Sequence, residues 1–248
     1  MKIMVPVRRV PNPDVKVRLK KDGTGIETEG VNFLVNSFDE FAIEEAVRLT
    51  EKSGGEVFLV SIGTAANEET LRAGLALGAQ RAYLVQVDET LDSSAVADIL
   101  AAVYNQEKPD LVIAGKQSVD TDNNQASQML AAKIGVPQAC FAYKLELQGT
   151  KALVQREIDG GLETKEVDLP AVITADLRLN QPRYASLPAI MKAKKKEVKK
   201  VTPGDLGVAA KPRTRILGLS EPPPRKAGQK VASVEELVEK LLNEAKVL

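Results

Sequence analysis

The feature that most constrains the fold is an alternation, over the first two-thirds of the chain, of short apolar runs with longer amphipathic segments. The apolar runs have the length of buried strands and occupy residues 2–7, 56–63, 81–87 and 110–115. The amphipathic segments have apolar residues at helical spacing and occupy residues 37–54, 67–79, 93–107 and 124–135. This alternation predicts an α/β fold in which helices flank both faces of a parallel sheet.

The first predicted helix carries its own start and stop signals. Ser37 and Glu40 have the spacing of a capping box, and Gly54 follows the last apolar turn. We therefore expect Ser37 to cap this helix.

The pattern changes after residue 137. Residues 141–161 alternate apolar and polar side chains about a turn near Gly149, and residues 163–176 supply further strands. Regularity fades beyond residue 201, where a proline-rich arm leads to an amphipathic helix over residues 233–248. We expect this arm and helix to pack on another surface, either of this chain or of a partner.

Composition excludes several classes of chemistry. The 248 residues include no histidine, no tryptophan and a single cysteine, Cys140. Ser-His-Asp and Cys-His catalysis, histidine-ligated zinc and a disulfide within the chain are therefore ruled out. We expect a binder or carrier, with no catalytic residue and no metal site, rather than a hydrolase.

The charge balance and hydropathy address partners and location. The formal net charge is zero, which gives no indication of nucleic-acid binding. No apolar stretch reaches the roughly 20 residues that span a bilayer, so no direct membrane insertion is expected. The opening "MKIMVPV" is too short and unflanked for a secretory signal, and we expect a cytoplasmic protein.

Three loops lie where an open parallel sheet binds ligands, at the carboxyl ends of strands: residues 7–14, 61–67 and 115–125. The last, "GKQSVDTDNNQ", crowds acidic and amide side chains at a helix start. These side chains suit a nucleotide, but the local pattern alone favours helix capping. Neither G-x-G-x-x-G nor a Walker A motif is present.

A second unusual segment, "NQPRYASLPAIMKAKKK", spans residues 180–196. An apolar stretch between prolines is followed by six lysines within residues 192–200. The local pattern favours a simple explanation, in which Leu187 belongs to the core and the lysines form a solvated face. The alternative is an apolar knob, beside positive charge, that docks on a partner.

Several long blocks resemble the electron transfer flavoprotein beta subunit. They are "VQREIDGGLETKEVDLPAVITADLRLNQPRYASLPAIMKAKKK", "GKQSVDTDNNQASQM", "FAIEEAVRL", "ETLRAGLALGAQRA" and "PGDLG". The resemblance covers essentially the whole chain. It implies a Rossmann-like fold, similar to adenine-nucleotide-binding α/β proteins, with a C-terminal extended arm and helix.

The resemblance also implies a biological role. Members pair with an alpha subunit, and the heterodimer carries one FAD, held mostly by the alpha subunit, while the beta subunit buries an AMP. Electrons enter from acyl-CoA dehydrogenases and related flavoenzymes, and they leave to a membrane quinone oxidoreductase. The chain is then an electron carrier subunit and not itself an enzyme.

Carried over by position, the resemblance places AMP contacts on Pro6, Asn36, Ile62, Gln117, Asp120, Asp122, Asn123, Asn124, Gln125 and Ala126. The "DNNQ" at 122–125 matches the pattern that AMP-binding members favour. Phe38 matches the aromatic residue that approaches the flavin. Pro13 replaces a tyrosine often found near the flavin, and Lys165 replaces a usual aliphatic residue.

The same resemblance assigns residues 183–196 as a recognition loop, in which Leu187 enters an apolar pocket on the dehydrogenase. The residues implied in recognition are Tyr184, Leu187, Pro188, Ile190, Met191, Lys192 and Lys195. Glu157 matches an acidic residue that helps to position the FAD domain of the alpha subunit. The predicted domains are 1–200, which includes the β-rich insert and the recognition loop, and 201–248, which packs on the alpha subunit.

Two other functions stay open. An electron-bifurcating relative would hold a second FAD where AMP would sit. A free-standing nucleotide-binding stress or signalling module would need no second chain, and the recognition-loop resemblance argues against it.

Overall fold

The computed structural model describes residues 1–225 and 227–248, so Lys226 in the predicted C-terminal arm lies outside the described residues. The chain forms two units. The larger comprises Met1–Arg18 and Glu27–Ile216, and the smaller comprises Leu19–Ile26 and Leu217–Leu248. No helix among the described residues is both long and apolar enough to cross a membrane.

The larger unit contains eleven strands, of which β2 and β3 form a separate antiparallel pair. The strands are β1 (Lys2–Pro6), β2 (Arg9–Pro11), β3 (Phe33–Val35), β4 (Glu56–Gly63), β5 (Arg81–Gln86), β6 (Leu111–Gly115), β7 (Gln138–Gln148), β8 (Lys151–Ile158), β9 (Gly161–Asp168), β10 (Ala171–Ala175) and β11 (Val198–Val201). The other nine form one sheet in the order β11-β5-β4-β1-β6-β10-β7-β8-β9. Pairing is parallel from β11 to β7 and antiparallel in β7-β8-β9.

Five α-helices belong to the same unit: α1 (Ser37–Ser53), α2 (Asn67–Ala76), α3 (Ser93–Glu107), α4 (Ala126–Ile134) and α5 (Leu187–Ala193). A short 3₁₀ turn spans Gly204–Leu206. In the smaller unit, α6 (Val234–Glu239) continues as a π-helix over Lys240–Ala245. The predicted continuous helix over 233–248 was therefore wrong in type beyond Glu239 and in its end.

The predicted α/β fold is confirmed, because helices cover both faces of the parallel part of the sheet. Successive residues of a strand point to opposite faces. Ile3 of β1 belongs to a core shared with α1 and α2, whereas Met4 belongs to a core shared with α3 and α4. The predicted turn at Gly149 is confirmed as well, since it joins β7 to β8 in the left-handed region (φ 60°).

The strand order reverses at β1. The chain runs from β1 to its neighbour β4 and on to β5, and then crosses to form β6 on the other side of β1. Loops that leave the carboxyl ends of β1 and β6 therefore diverge, which opens a crevice at that edge of the sheet. We call it the β1–β6 crevice.

A close approach between α1 and β6 forms one wall of this crevice. A Cβ atom at Gly115, the last residue of β6, would lie 2.3 Å from Asp39 Oδ1 and 2.8 Å from the Cβ of Phe38. Only glycine leaves the room that α1 needs to begin against the end of the strand. The backbone N–H of Arg8 donates to Asp39 Oδ2 at 2.7 Å, which ties α1 to the loop after β1 as well.

Asp39 is an ionisable group inside this contact. Burial raises its pKa to about 7, and the N–H of Arg8 only partly offsets that rise. The folded chain thus holds the proton more tightly than the unfolded chain does. The contribution of Asp39 to the free energy of unfolding is fully present below the ordinary pKa of 3.8 and is lost as the pH rises through 7.

We predict that Asp39→Asn flattens the pH dependence of stability. Between pH 5 and pH 8 the wild type should lose on the order of 2 kcal/mol more unfolding free energy than the variant, because only the wild type must ionise a buried carboxyl group. Denaturant unfolding at the two pH values measures the difference. Asp159→Asn, at an exposed turn, is the control. Equal losses in wild type and Asp39→Asn would contradict the prediction.

Candidate functional site

Asn36 ties the start of α1 to the loop that follows β6. Its side chain is buried, its Nδ2 donates to the carbonyl oxygen of Gln117 at 2.9 Å, and its Oδ1 accepts from the N–H of Val119 at 3.1 Å. Asn36 is also the N-cap residue of α1, so the capping box predicted on Ser37 was wrong. The amide group of Asn36 holds the loop instead of capping the helix.

A second contact, between Arg8 and Asp120, holds the same loop. The Nε and Nη2 atoms of Arg8 donate to Asp120 Oδ2 at 2.9 and 2.7 Å. Such charge-assisted contacts are geometrically specific and stronger than neutral hydrogen bonds. Asp120, a predicted AMP contact, is therefore engaged with the loop after β1.

The "DNNQ" segment has an unusual backbone. Asp122 and Asn124 lie in the left-handed region, at φ 54° and 47°, a conformation that Asn and Asp tolerate better than most residues. The Gln117 side chain donates to Asp122, and the Gln128 side chain donates to Asn124 Oδ1 at 2.6 Å. These bonds set the shape of the loop before any ligand arrives.

The acidic and amide side chains of this loop do not cap α4. The N-cap is Gln125, and among the described residues no side chain accepts a hydrogen bond from the first turn. The capping interpretation favoured by the local pattern was therefore wrong, because left-handed Asn124 delays the helix start to Ala126. An uncapped helix N-terminus suits an anion.

The first turn of α4 also carries an unsatisfied acceptor. Gln128 Oε1 is buried and has no hydrogen-bond partner among the described residues. Buried polar atoms normally have a partner, and a ligand is one explanation for such an exception. The uncapped helix and this oxygen together fit a nucleotide, which carries both an anionic phosphate and hydrogen-bonding edges.

The other predicted AMP contacts lie around the same edge of the sheet. Pro6 and Ile62 belong to the ends of the paired strands β1 and β4, and the carbonyl of Ile62 accepts from Asn67 Nδ2 at 3.3 Å. Gln125 is exposed, and Ala126 begins α4. Asn123 is exposed too, and its amide contacts Ser93 Oγ of α3 at 3.4 Å.

A charged and aromatic cluster, which the sequence analysis missed, lies next to the crevice. Lys116 Nζ pairs with Asp176 Oδ2 at 2.9 Å and lies 5.2 and 5.6 Å from the ring centres of Phe38 and Phe141. Burial acts to raise the pKa of Asp176, but hydrogen bonds from Lys116 and Arg178 outweigh it and lower that pKa. The missed signal is a charged residue directly after each of two adjacent strands, β6 and β10.

Phe141, which belongs to this cluster, has a strained backbone. Its φ of 64° is rare for a bulky residue and costs about 1–2 kcal/mol. It lies where the pairing of β7 with β10 shifts register, and its N–H donates to Thr174 Oγ1 at 2.9 Å. Strain of this kind concentrates at functional sites.

The two predicted flavin neighbours differ in exposure. Phe38 is buried, only 7 % exposed, and lies under the Lys116 ammonium group. Pro13 lies on an exposed turn beyond β2. Phe38 can therefore present at most an edge at the surface of this chain.

Glu157 is not free in this chain. Its carboxylate pairs with Arg178, whose Nε also contacts Asp176 Oδ1 at 3.1 Å. Both members of the Glu157–Arg178 pair are about half exposed, at 46 and 50 %. Exposed pairs contribute little to stability because solvent screens them, so a partner could displace Arg178 at small cost.

The predicted recognition loop presents its apolar residues to solvent. Tyr184 is 98 % exposed, Leu187 78 % and Met191 61 %, and Ile190 is also exposed. Ser186 caps α5 by accepting from the N–H of Ala189 at 3.4 Å, with Pro188 in the first turn. Placing Leu187 in the core, as the local pattern favoured, was therefore wrong.

Only part of the lysine run is available beside Leu187. Lys196 Nζ donates to the carbonyl oxygens of Leu75 and Ala79 at 2.9 and 2.5 Å, and its burial lowers its pKa. Lys200 pairs with Glu68 at 2.7 Å. The lysines at 192, 194 and 195 are exposed and carry the charge next to the apolar residues.

Comparisons with known proteins agree with this arrangement. The sequence model of the electron transfer flavoprotein domain matches residues 24–206. The chain is 54 % identical, over the full length of both chains, to the electron transfer flavoprotein subunit beta of Bradyrhizobium diazoefficiens. It is 52 % identical to the mitochondrial subunit beta of Arabidopsis thaliana, again over the full length of both.

A human relative gives the same result. The chain is 50 % identical to the electron transfer flavoprotein subunit beta of Homo sapiens, with 97 % of this chain and 96 % of that protein covered. Identity at this level across whole chains leaves the fold and the family in no doubt. The chain belongs to the family of electron transfer flavoprotein beta subunits.

Proposed function

We propose that this chain pairs with an alpha subunit to form a heterodimeric electron carrier. The carrier accepts electrons from acyl-CoA dehydrogenases and related flavoenzymes and delivers them to a membrane quinone oxidoreductase. The observation that carries the proposal is similarity to electron transfer flavoprotein beta subunits over the whole chain, which includes both the β1–β6 crevice and the recognition loop.

The redox chemistry in this proposal belongs to FAD, held mainly by the alpha subunit, which accepts and releases the electrons. The residues of this chain line the proposed flavin position and take no part in the electron transfer themselves. Phe38 and Pro13 are the proposed flavin neighbours, and Lys116, fixed by Asp176, places a positive charge beside Phe38.

AMP is the proposed occupant of the β1–β6 crevice. The uncapped N-terminus of α4 suits its phosphate, and Gln125 at that N-terminus is free to contact it. The buried Gln128 Oε1 is an acceptor of the kind that an adenine amino group or a ribose hydroxyl would satisfy. Asn36 and Arg8 act indirectly, because they hold the loop that carries these contacts.

AMP has a structural role in this account. A ligand that binds only the folded protein stabilises it by RT ln(1 + [L]/Kd), about 2.7 kcal/mol when its concentration is 100 times Kd. That stabilisation applies to the folded chain as a whole. Electron transfer needs no turnover of AMP.

The recognition loop is the proposed contact with the dehydrogenase. Burying one leucine contributes roughly 1.5–3 kcal/mol, which localises a complex without making it long-lived. The exposed lysines beside Leu187 speed the encounter with an acidic partner in a way that salt screens. A carrier that must leave after each transfer needs this combination. We keep Glu157 as a proposed contact for positioning the FAD domain.

We propose a cytoplasmic location. The sequence predicts a cytoplasmic protein, while the relative from Arabidopsis thaliana is named as mitochondrial. The carrier reaches the membrane in this scheme only through its quinone oxidoreductase partner.

We predict that Gln125→Ala weakens AMP binding about tenfold, the effect of one lost hydrogen bond to a charged group. Gln125 is exposed, and its side chain has no hydrogen-bond partner among the described residues, so folding should not suffer. Calorimetric titration of AMP into the AMP-depleted heterodimer measures the change. Gln148→Ala, at the exposed end of β7, is the matched control. Affinity equal to that of the wild type would remove Gln125 from the site.

We predict that Leu187→Ala lowers the kcat/KM of electron transfer from an acyl-CoA dehydrogenase about ten- to hundredfold, because the variant loses the burial of one leucine. Chemical reduction of the flavin by dithionite should be unchanged. Leu34→Ala removes an exposed leucine from β3 and serves as the control. Transfer at the wild-type rate in Leu187→Ala would contradict the proposed docking role.

A further inference from the structure

The exposed apolar residues of the recognition loop lie between two points where the backbone is held. The first point is on α1. Arg183 donates from Nε to Glu44 Oε2 at 2.8 Å, and its backbone N–H reaches the same oxygen at 3.2 Å. Its Nη1 and Nη2 atoms donate to the two oxygens of Glu51 at 2.6 and 2.8 Å. One guanidinium group thus bridges two carboxylates that are two helical turns apart.

Burial means that Glu44 needs cationic partners, and Arg183 and Arg48 both pair with its carboxylate. The Glu44 side chain is only 2 % exposed, so its charge requires partners. Burial acts to raise its pKa, but hydrogen bonds from Arg183 outweigh that effect and lower the pKa. Arg48 adds a link, because its Nη2 donates to the carbonyl oxygen of Gln181 at 2.9 Å. Backbone atoms at positions 181 and 183 are therefore both fixed to α1.

The second point is on α2. Arg72 Nη1 donates to the carbonyl oxygens of Ala193 and Lys196 at 2.9 and 2.6 Å. In turn, Lys196 Nζ donates to the carbonyl oxygens of Leu75 in α2 and of Ala79 just after it. Ala193 is buried in the core. Backbone atoms at positions 193 and 196 are thus fixed as well. The residues between the two points, 184–192, contain every exposed apolar side chain of the loop.

We propose that Arg183 and Arg72 are positioning residues that hold the recognition loop in its binding shape before the partner arrives. The inference rests on the docking role proposed above. An unclamped loop would occupy the competent shape for only a fraction of the time, and the apparent Kd would rise in inverse proportion to that fraction. The clamps remove this loss and leave the contact itself weak, so docking is fast and release is not slowed.

The proposal distinguishes positioning from contact. Loss of a clamp lowers the competent fraction, so the association rate falls while the dissociation rate of the correctly docked complex stays the same. Loss of the contact residue Leu187 does the reverse, because the loop still docks in the correct shape but is held less strongly. A merely structural role of Arg183 would affect the stability of the heterodimer and neither rate.

The test uses Arg183→Lys in the purified heterodimer. Lysine keeps the positive charge, but it lacks the planar fork that reaches two carboxylates at once. Hydrogen exchange in the free heterodimer reports on the loop through the N–H of Ile190, which donates to the carbonyl of Ser186 at 3.0 Å. Surface plasmon resonance against an acyl-CoA dehydrogenase gives both rates. Arg72→Lys tests the second clamp, and Arg215→Lys, at an exposed position outside the loop, is the matched control.

We expect exchange at Ile190 to be about tenfold faster in Arg183→Lys, and association to be about three- to tenfold slower with unchanged dissociation. Leu187→Ala should dissociate faster and exchange normally. Faster exchange with an unchanged association rate would overturn the proposal, and so would unchanged exchange. If Leu187→Ala associates and dissociates at the wild-type rates, the proposed docking role of Leu187 is contradicted, whatever the exchange result.

Discussion

The reversal of strand order at β1 is the constraint on which the rest of the structure depends. Because β4 and β6 lie on opposite sides of β1, the loops at the carboxyl ends of β1 and β6 diverge and leave room for a ligand. Particular residues then give this crevice its shape. Gly115 lets α1 start against β6, Asn36 holds the loop after β6, and Arg8 closes it through Asp120.

Helix α1 connects the two proposed sites. Its first residues, with Asn36 as the N-cap, form a wall of the β1–β6 crevice. Two of its carboxylates, buried Glu44 and exposed Glu51, hold the recognition loop through Arg183. A single helix thus positions both proposed sites. The division fits a carrier, in which the scaffold is rigid and the contact with each partner is brief.

Much of the fold could be predicted because it depends on periodicity, which is local. The apolar strands and the helices over 37–54, 67–79 and 93–107 follow from side-chain spacing alone. The helix starts were less predictable, because competing contacts decide them. Asn36, not Ser37, occupies the N-cap position of α1, and its side chain binds the loop after β6 instead of capping the helix; left-handed Asn124 delays the start of α4.

The site was predictable only in part. The loops could be located because ligands collect at the carboxyl ends of parallel strands. Contacts between distant parts of the chain could not be read from spacing: Arg183 lies 139 residues from Glu44, and Lys116 lies 60 residues from Asp176. The exposure of Leu187 could not be predicted either, because the same local sequence is compatible with a core residue and with an exposed docking residue.

In the proposed carrier, the β1–β6 crevice holds AMP and the two chains share a single flavin. The most direct test is to denature the purified heterodimer and quantify the released nucleotides by chromatography. We expect one FAD and one AMP per heterodimer. Two FAD and no AMP would contradict it, and would place this chain with the electron-bifurcating relatives whose second flavin occupies the crevice.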